Sequence, residues 1–365
     1  MTEELVSQVA LELIPGIGNK GVKHLISYCG SAEKVFTSSA NKLRKIPGIG
    51  ETLVKVIQQS NSKNEAERVI REAEHVDADI LHYTDLQYPT LLKQIPDSPN
   101  LLFRSGIADL SPKRSIAVVG TRKATEYGKG ITNQLVQELS SLGVTVVSGL
   151  AYGVDIAAHK ACLQHGVPTI AVLAGGIDRI YPSAHKKYAE SMLHNGAILT
   201  ESLPGTKPDR HLFPARNRII AGMTDATLVV EAAEKGGALI TAHLADSYDR
   251  MVFAVPGHLG KTYSEGCNHL IATQKALIYT GVKDLVYHLG WDQKEAPSNM
   301  PIPDLSDTEE IIYSLLSKSE SPLEIDLIAI KTQLSINQVA SQLLNLEFKN
   351  LVKSMPGKKF GLAKY

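Results

Sequence analysis

Six short, almost wholly apolar runs, Ile116–Val119, Val144–Val147, Thr169–Leu173, Ala197–Leu199, Thr227–Val230 and Val252–Val255, alternate with helix-patterned segments between residues 115 and 289. A strand with one wet face alternates polar and apolar residues, and these runs do not, so both of their faces must be covered. Strand and helix in turn predict an α/β fold: a Rossmann-like, doubly wound, mostly parallel sheet with helices on both sides. The strands empty into glycine-bearing loops at Gly120, Gly149, Gly175-Gly176, Gly236-Gly237 and Gly257. Ligands of such sheets bind at those carboxyl ends.

A chain of 365 residues exceeds what one core usually organises, so appendages are expected. In residues 1–70, Leu13-Ile14-Pro15-Gly16-Ile17-Gly18 returns as Lys45-Ile46-Pro47-Gly48-Ile49-Gly50. The repeat predicts an all-helical domain of two short hairpins, resembling the helix-hairpin-helix (SAM-like) motif. Its glycine turns either offer backbone N–H groups to a phosphate or serve only as tight turns. Residues 71–110, with Pro89, Pro96, Pro99 and Gly106 around Leu101-Leu102-Phe103, read as a connector packed on a core at 111–290. Residues 291–304 read as a polar, proline-bearing linker. Beyond it, three helices over Thr308–Ser317, Glu324–Lys331 and Ile336–Phe348 and a hairpin over Leu351–Leu362, turning at Pro356-Gly357, predict a winged helix in 305–365. The third helix offers Asn337, Gln338, Ser341, Gln342 and Asn345 with no cation before Lys349, which predicts a docking or regulatory module rather than a groove reader.

Basic and acidic side chains balance at 38 each, which argues against a strongly basic surface. Distribution matters more than the total, and 111–290 holds 18 basic against 14 acidic groups, enough for a local basic groove. No run approaches a membrane span and Met1–Ala10 lacks the pattern of a signal peptide, so a cytoplasmic protein is expected. Cys29, Cys162 and Cys267 lie too far apart for a disulfide framework or a metal spacing and are read as reduced, buried thiols.

Gly120-Thr121-Arg122 joins a strand to a helix near Tyr127–Leu139, where backbone approach, a hydroxyl and a guanidinium together suit a phosphate. The three-glycine dinucleotide fingerprint and the P-loop are both missing, so no cofactor is expected. The second loop, Ser148-Gly149-Leu150-Ala151-Tyr152-Gly153-Val154-Asp155, is built of small residues that admit a ligand or close packing. Asp155 and His159, one turn apart, read as a capping or buried hydrogen-bonded pair rather than an acid–base couple. The segment Arg210-His211-Leu212-Phe213-Pro214-Ala215-Arg216-Asn217-Arg218 places three arginines beside an aromatic ring, the pairing that single strands of nucleic acid use: cations for phosphates, a ring for a base. At least one of these arginines is assigned to the fold, paired with Glu201 or Glu231, and the others to DNA. Gly236-Gly237 supplies a further glycine turn before a helix.

The ordered set Val119-Gly120-Thr121-Arg122, Ser148-Gly149-Leu150-Ala151, Ile180-Tyr181-Pro182, Phe213-Pro214-Ala215-Arg216-Asn217-Arg218, Gly237-Ala238-Leu239-Ile240-Thr241-Ala242, Ala254-Val255-Pro256-Gly257 and Gly266-Cys267-Asn268 resembles the DprA/Smf (DNA-processing protein A) family over roughly residues 80–365. The resemblance implies a non-enzymatic protein that binds single-stranded DNA without sequence preference, forms a homodimer and hands the strand to the RecA recombinase, chiefly in natural transformation. It ties Arg122, Arg210, Phe213, Arg216 and Arg218 to DNA contact, with Gly120, Thr121, Ser148, Gly149, Gly175, Asn217, Gly236 and Gly237 beside them. Lys160 and Lys207 join on position and charge alone. The competing class is an enzyme, since the same core resembles the phosphoribohydrolases of the lysine-decarboxylase-like group. Their Gly-Gly-x-Gly-Thr-x-x-Glu motif falls on Gly236-Gly237-Ala238-Leu239-Ile240-Thr241-Ala242-His243, where the later glycine and the carboxylate are both replaced.

Overall fold

The computed structural model describes residues 1–292, 305–317, 319, 322–349, 351–355 and 359–362. All six expected strands form: β3 (Ser115–Val119), β4 (Thr145–Ser148), β5 (Thr169–Val172), β6 (Ala197–Thr200), β7 (Ala226–Val229) and β8 (Met251–Ala254). They pair in parallel, and every residue of β3 to β7 is buried, as strands covered on both faces require.

The sheet is wider than the pattern foretold. It has nine strands in the order β1-β2-β6-β5-β4-β3-β7-β8-β9, with β1 (Asp79–His82) and β2 (Leu101–Gly106) antiparallel at one edge and β9 (Leu277–Ile278) at the other. Segment 71–110 is therefore more than a connector: β2 pairs directly with β6, and Leu102 and Phe103 are wholly buried. The helix Ser62–His75 also runs across the expected boundary at 70. Residues Met1–Gly290 form one compact unit and Trp291–Tyr365 a second.

Strand β3 lies between β4 and β7: the chain runs outward from β3 through β4 and β5 to β6 and then crosses back to β7 and β8, so the winding reverses beside β3 and the loops part there. Local chemistry fixes the flanking helices. Thr125 caps Glu126–Leu139 by accepting the Gly128 N–H, and that helix buries Thr132, Leu135, Val136 and Leu139 along one face. Val154–His165 ends on Gly166, whose left-handed φ of 69° turns its N–H onto the Cys162 carbonyl.

The N-terminal repeat is visible as geometry. Gly16 and Gly48 take φ of 85° and 84°, and Gly18 and Gly50 start the helices Asn19–Cys29 and Glu51–Gln59. In the second unit, Asp307–Ser317, Ile325–Thr332 and Ile336–Phe348 are helical, and β11 (Val352–Met355) pairs with β12 (Lys359–Leu362) beside a short β10 (Leu323–Glu324). The third helix exposes Ile336, Leu344 and Phe348 as well as Asn337, Gln338, Ser341 and Asn345, while Gln342 is half-buried. The turn at Pro356-Gly357 and most of the linker 291–304 lie outside the described residues. Cys29, Cys162 and Cys267 are buried and free, with burial pushing Cys162 and Cys267 up to about 12. Among the described residues no helix is long and apolar enough to cross a membrane.

Candidate functional site

A cleft of ≈ 300 Å³ opens at the carboxyl ends of β3, β4 and β7, lined among others by Gly120, Thr121, Arg122, Asp155, Phe213, Arg216, Asn217, Gly236, Gly237 and Thr241. Residues at or beside the starts of three helices, Val154–His165, Leu212–Gly222 and Gly237–Ser247, border it. Helix starts carry unpaired N–H groups and partial positive charge, which suits an anion.

Backbone contacts hold the Gly120-Thr121-Arg122 turn in place. Thr121 N–H donates to the Glu231 carbonyl at 2.7 Å, and the Thr121 carbonyl accepts from Val154 N–H at 3.2 Å. The Glu231 carboxylate accepts from the N–H and hydroxyl of Thr125, at 2.8 and 2.5 Å, tying the end of β7 to the helix that follows the turn. With the turn fixed, the exposed Arg122 guanidinium stands 5.1 Å from the centre of the Phe213 ring. Phe213 in turn meets Tyr181 edge to face, with ring centres 6.0 Å apart.

Arg216 is used differently. It is 5 % exposed, and its Nη1 donates to the Gly149 carbonyl at 2.5 Å and to the Val172 carbonyl, joining the ends of β4 and β5 at the cleft floor. Burial, with Arg122 nearby, lowers its pKa to about 10 against the opposing pull of Asp155. Burial raises the pKa of Asp155, while the Arg216 charge and the Ala151 N–H, 3.3 Å from Oδ2, act the other way.

Asp155 and His159 are both buried but make separate contacts. His159 Nδ1 meets Thr169 Oγ1 at 2.8 Å, and burial lowers its pKa to about 3. A histidine depressed in the fold stays neutral there while the unfolded chain takes up a proton, so its stabilisation is complete above pH 6.5 and falls away below. Its share of the loss reaches about 2 kcal/mol at pH 5. Denaturation midpoints from pH 7 to 5 should therefore fall less steeply in His159→Gln than in the parent, and parallel profiles would refute this.

Of the residues singled out from sequence, Gly120, Thr121, Arg122, Phe213, Arg216, Asn217, Gly236 and Gly237 come together at the cleft. Others do not present themselves to it. Ser148 is wholly buried, its hydroxyl donating to the Val118 carbonyl at 2.6 Å. Gly149 gives its carbonyl to Arg216, and a methyl on its Cα would overlap that guanidinium. Gly175 is packed beneath Thr206 and Pro208. Arg218 pairs with Glu201, one of the two carboxylates expected, and donates to the Asp97 carbonyl at 2.5 Å. Lys160 lies over the Tyr188 ring at 4.6 Å, and Lys207 and Arg210 are exposed just before Leu212–Gly222. Ser148, Arg216 and Arg218, expected to contact DNA, are engaged by internal partners and do not stand free. Phe213, Arg216, Asn217 and Ile220 are spaced three and four apart and share the helical face that lines the cleft, whereas Arg218 falls off it; the carbonyls that hold Arg216 leave no such mark in the sequence. Tyr181, which enters the sequence reading only within the motif Ile180-Tyr181-Pro182 and not as a site residue, is an exposed aromatic beside Phe213.

Residues 79–290 match the family model described as DNA recombination-mediator protein A, and 296–358 match the DprA winged helix domain. The chain is 33% identical to Protein Smf of Synechocystis, over 96% of this chain and 97% of the relative. It is 45% identical to DNA processing protein DprA of Bacillus subtilis, over 51% of this chain and 63% of the relative. Among solved structures it is similar to DprA of Streptococcus pneumoniae, with a TM-score of 0.67, 30% identity, and coverage of 79% of this chain and 98% of that one. It is also similar to DNA processing protein A of Helicobacter pylori, whose structure is described as revealing a single-stranded DNA binding mode. That match has a TM-score of 0.54, 30% identity, and coverage of 59% of this chain and 96% of that one.

Proposed function

The chain belongs to the DprA/Smf family of DNA recombination-mediator proteins, and from that premise we propose that it binds single-stranded DNA at the cleft above β3, without regard to sequence, for recombination. The observation that carries this reading is the Arg122 guanidinium stacked on the Phe213 ring at the mouth of a cleft bordered by three helix starts. A cation and a ring face serve a phosphate and a base of any identity, and neither reads a base edge. Lys207 and Arg210, exposed and without an acidic side-chain partner among the described residues, extend the positive rim. Family membership supports the finer assignments: a cytoplasmic homodimer that shields incoming strands and loads RecA during natural transformation.

Fluorescence anisotropy with single-stranded oligonucleotides across a salt titration tests the proposal. Arg122→Ala should weaken binding to every sequence alike and flatten the slope of log affinity against log salt by about 0.7, the share of one phosphate on a single strand. Phe213→Ala should cost about 1–3 kcal/mol of affinity with the fold intact. Unchanged slopes and affinities in both variants would remove the site. The enzyme alternative predicts base released from nucleoside monophosphates. His243, standing where that chemistry places its carboxylate, is exposed and does not line the cleft.

A further inference from the structure

We propose that Tyr181 is a second base-stacking platform, and that a bound single strand leaves the cleft over Phe213 toward the loops that follow β5 and β6 rather than toward those that follow β7 and β8. The inference rests on the binding reading above and adds to it a residue and a direction.

Tyr181 lies in the loop after β5, two strands away from the β3 end where Arg122 stands. Its ring is 51 % exposed, and its hydroxyl has no partner among the described residues. An aromatic side chain left this open gains little for the fold. Its ring meets Phe213 edge to face at 62°, with centres 6.0 Å apart, so the two ring planes are inclined and the solvent side of Tyr181 offers a further surface for a base beyond Phe213. The order Arg122, Phe213, Tyr181 is thus a short row of cation, ring and ring running from the cleft mouth outward.

Charge along the two routes favours the same direction. On the β5 and β6 side, Lys187, Lys207 and Arg210 are exposed and have no acidic side-chain partner among the described residues, while the acids Asp178 and Glu190 already face Arg179 and Lys186, which leaves Asp209 as one acid against three cations. On the β7 and β8 side, the exposed Lys235 and Lys261 are offset by exposed Glu234 and Glu265. Unpaired cations outnumber unpaired acids along the first route, whereas along the second Lys235 and Lys261 are matched in number by Glu234 and Glu265, so the first offers successive phosphates the more positive path.

Oligothymidylates of increasing length, read by anisotropy at matched salt, test this. Tyr181→Ala should bind the longer oligonucleotides roughly tenfold more weakly and the shortest bindable ones as the parent does, because those reach only the cleft and Phe213. Tyr181→Phe should restore the parent's affinity, since only the ring face is used. In Tyr181→Trp the indole emission should be quenched on adding the long strand, measured against the same variant carrying Trp291→Phe. Equal affinity of Tyr181→Ala and parent at every length, with an unquenched indole, would overturn the platform while leaving the cleft reading standing. A parent protein with no salt-sensitive binding would instead overturn the cleft reading itself. An equal loss in Tyr181→Ala and Tyr181→Phe would also reject the proposal, because it would make the hydroxyl the active group.

Discussion

Replacing Arg216 with alanine is expected to destabilise the Met1–Gly290 unit by about 3–5 kcal/mol, the range for removing one partner from a buried charged contact. The loss comes from three sources. The Gly149 and Val172 carbonyls lose their donor in the interior, a large side chain leaves a void, and Asp155 loses the cation that offsets its burial. Denaturation followed by circular dichroism measures it. Were the variant to unfold at the parent's midpoint and yet show a flattened salt slope in DNA binding, Arg216 would be a phosphate contact after all and the floor would be held by other means.

Gly153→Ala should cost about 3 kcal/mol or more, with a loss of single-strand affinity alongside. Gly153 takes φ 82° and ψ −124°, a region that side chains avoid at a cost of about 1–3 kcal/mol. A methyl there would also run into the backbone of Thr121 and Arg122, adding about 1–3 kcal/mol of overpacking. The only relief is movement of the Gly120-Thr121-Arg122 turn, which lifts Arg122 away from Phe213. Gly130 is the comparison: it lies within Glu126–Leu139 with open space around it, so Gly130→Ala should be neutral or stabilise by about 0.5–1 kcal/mol. Equal effects at the two glycines would show that helix propensity, not crowding, governs both.

The contrast between what sequence conveys and what it conceals follows from range. β3 to β8 are legible because burial on both faces writes an unbroken apolar run into the strand itself. β1 and β2 are not, because what makes β2 a strand is pairing with β6 about a hundred residues away and what makes β1 one is pairing with β2, and the prolines around Leu101-Leu102-Phe103 suggest a loop. β9 is two residues long, too short to carry a period. At the site, Arg122 and Phe213 are legible from their chemistry, whereas the fate of Arg216 and Arg218 depends on which carbonyl or carboxylate lies across from each. The Asp155 and His159 pair shows the same limit: spacing puts them on one helix face, but the fold gives His159 a threonine from β5 instead.

The nine-strand sheet also bears on how such chains diversify. The stretch matching the recombination-mediator model, 79–290, opens at the first residue of β1 and closes beyond β9, so its bounds coincide with the hydrogen-bonded sheet and take in the edge strands that the alternation of strand and helix does not announce. Within that block an inserted or lost strand would break a ladder at both neighbours. Outside it, Val6, Val9, Val69 and Ile70 of the N-terminal segment share one core with Phe103, Ala171 and Ile198 of the sheet, and Lys23 donates to the Ser98 carbonyl at 3.1 Å, so losing that segment would leave the ladders paired but uncover apolar side chains. The N-terminal segment is thus tied to the sheet by packing and not by strand pairing.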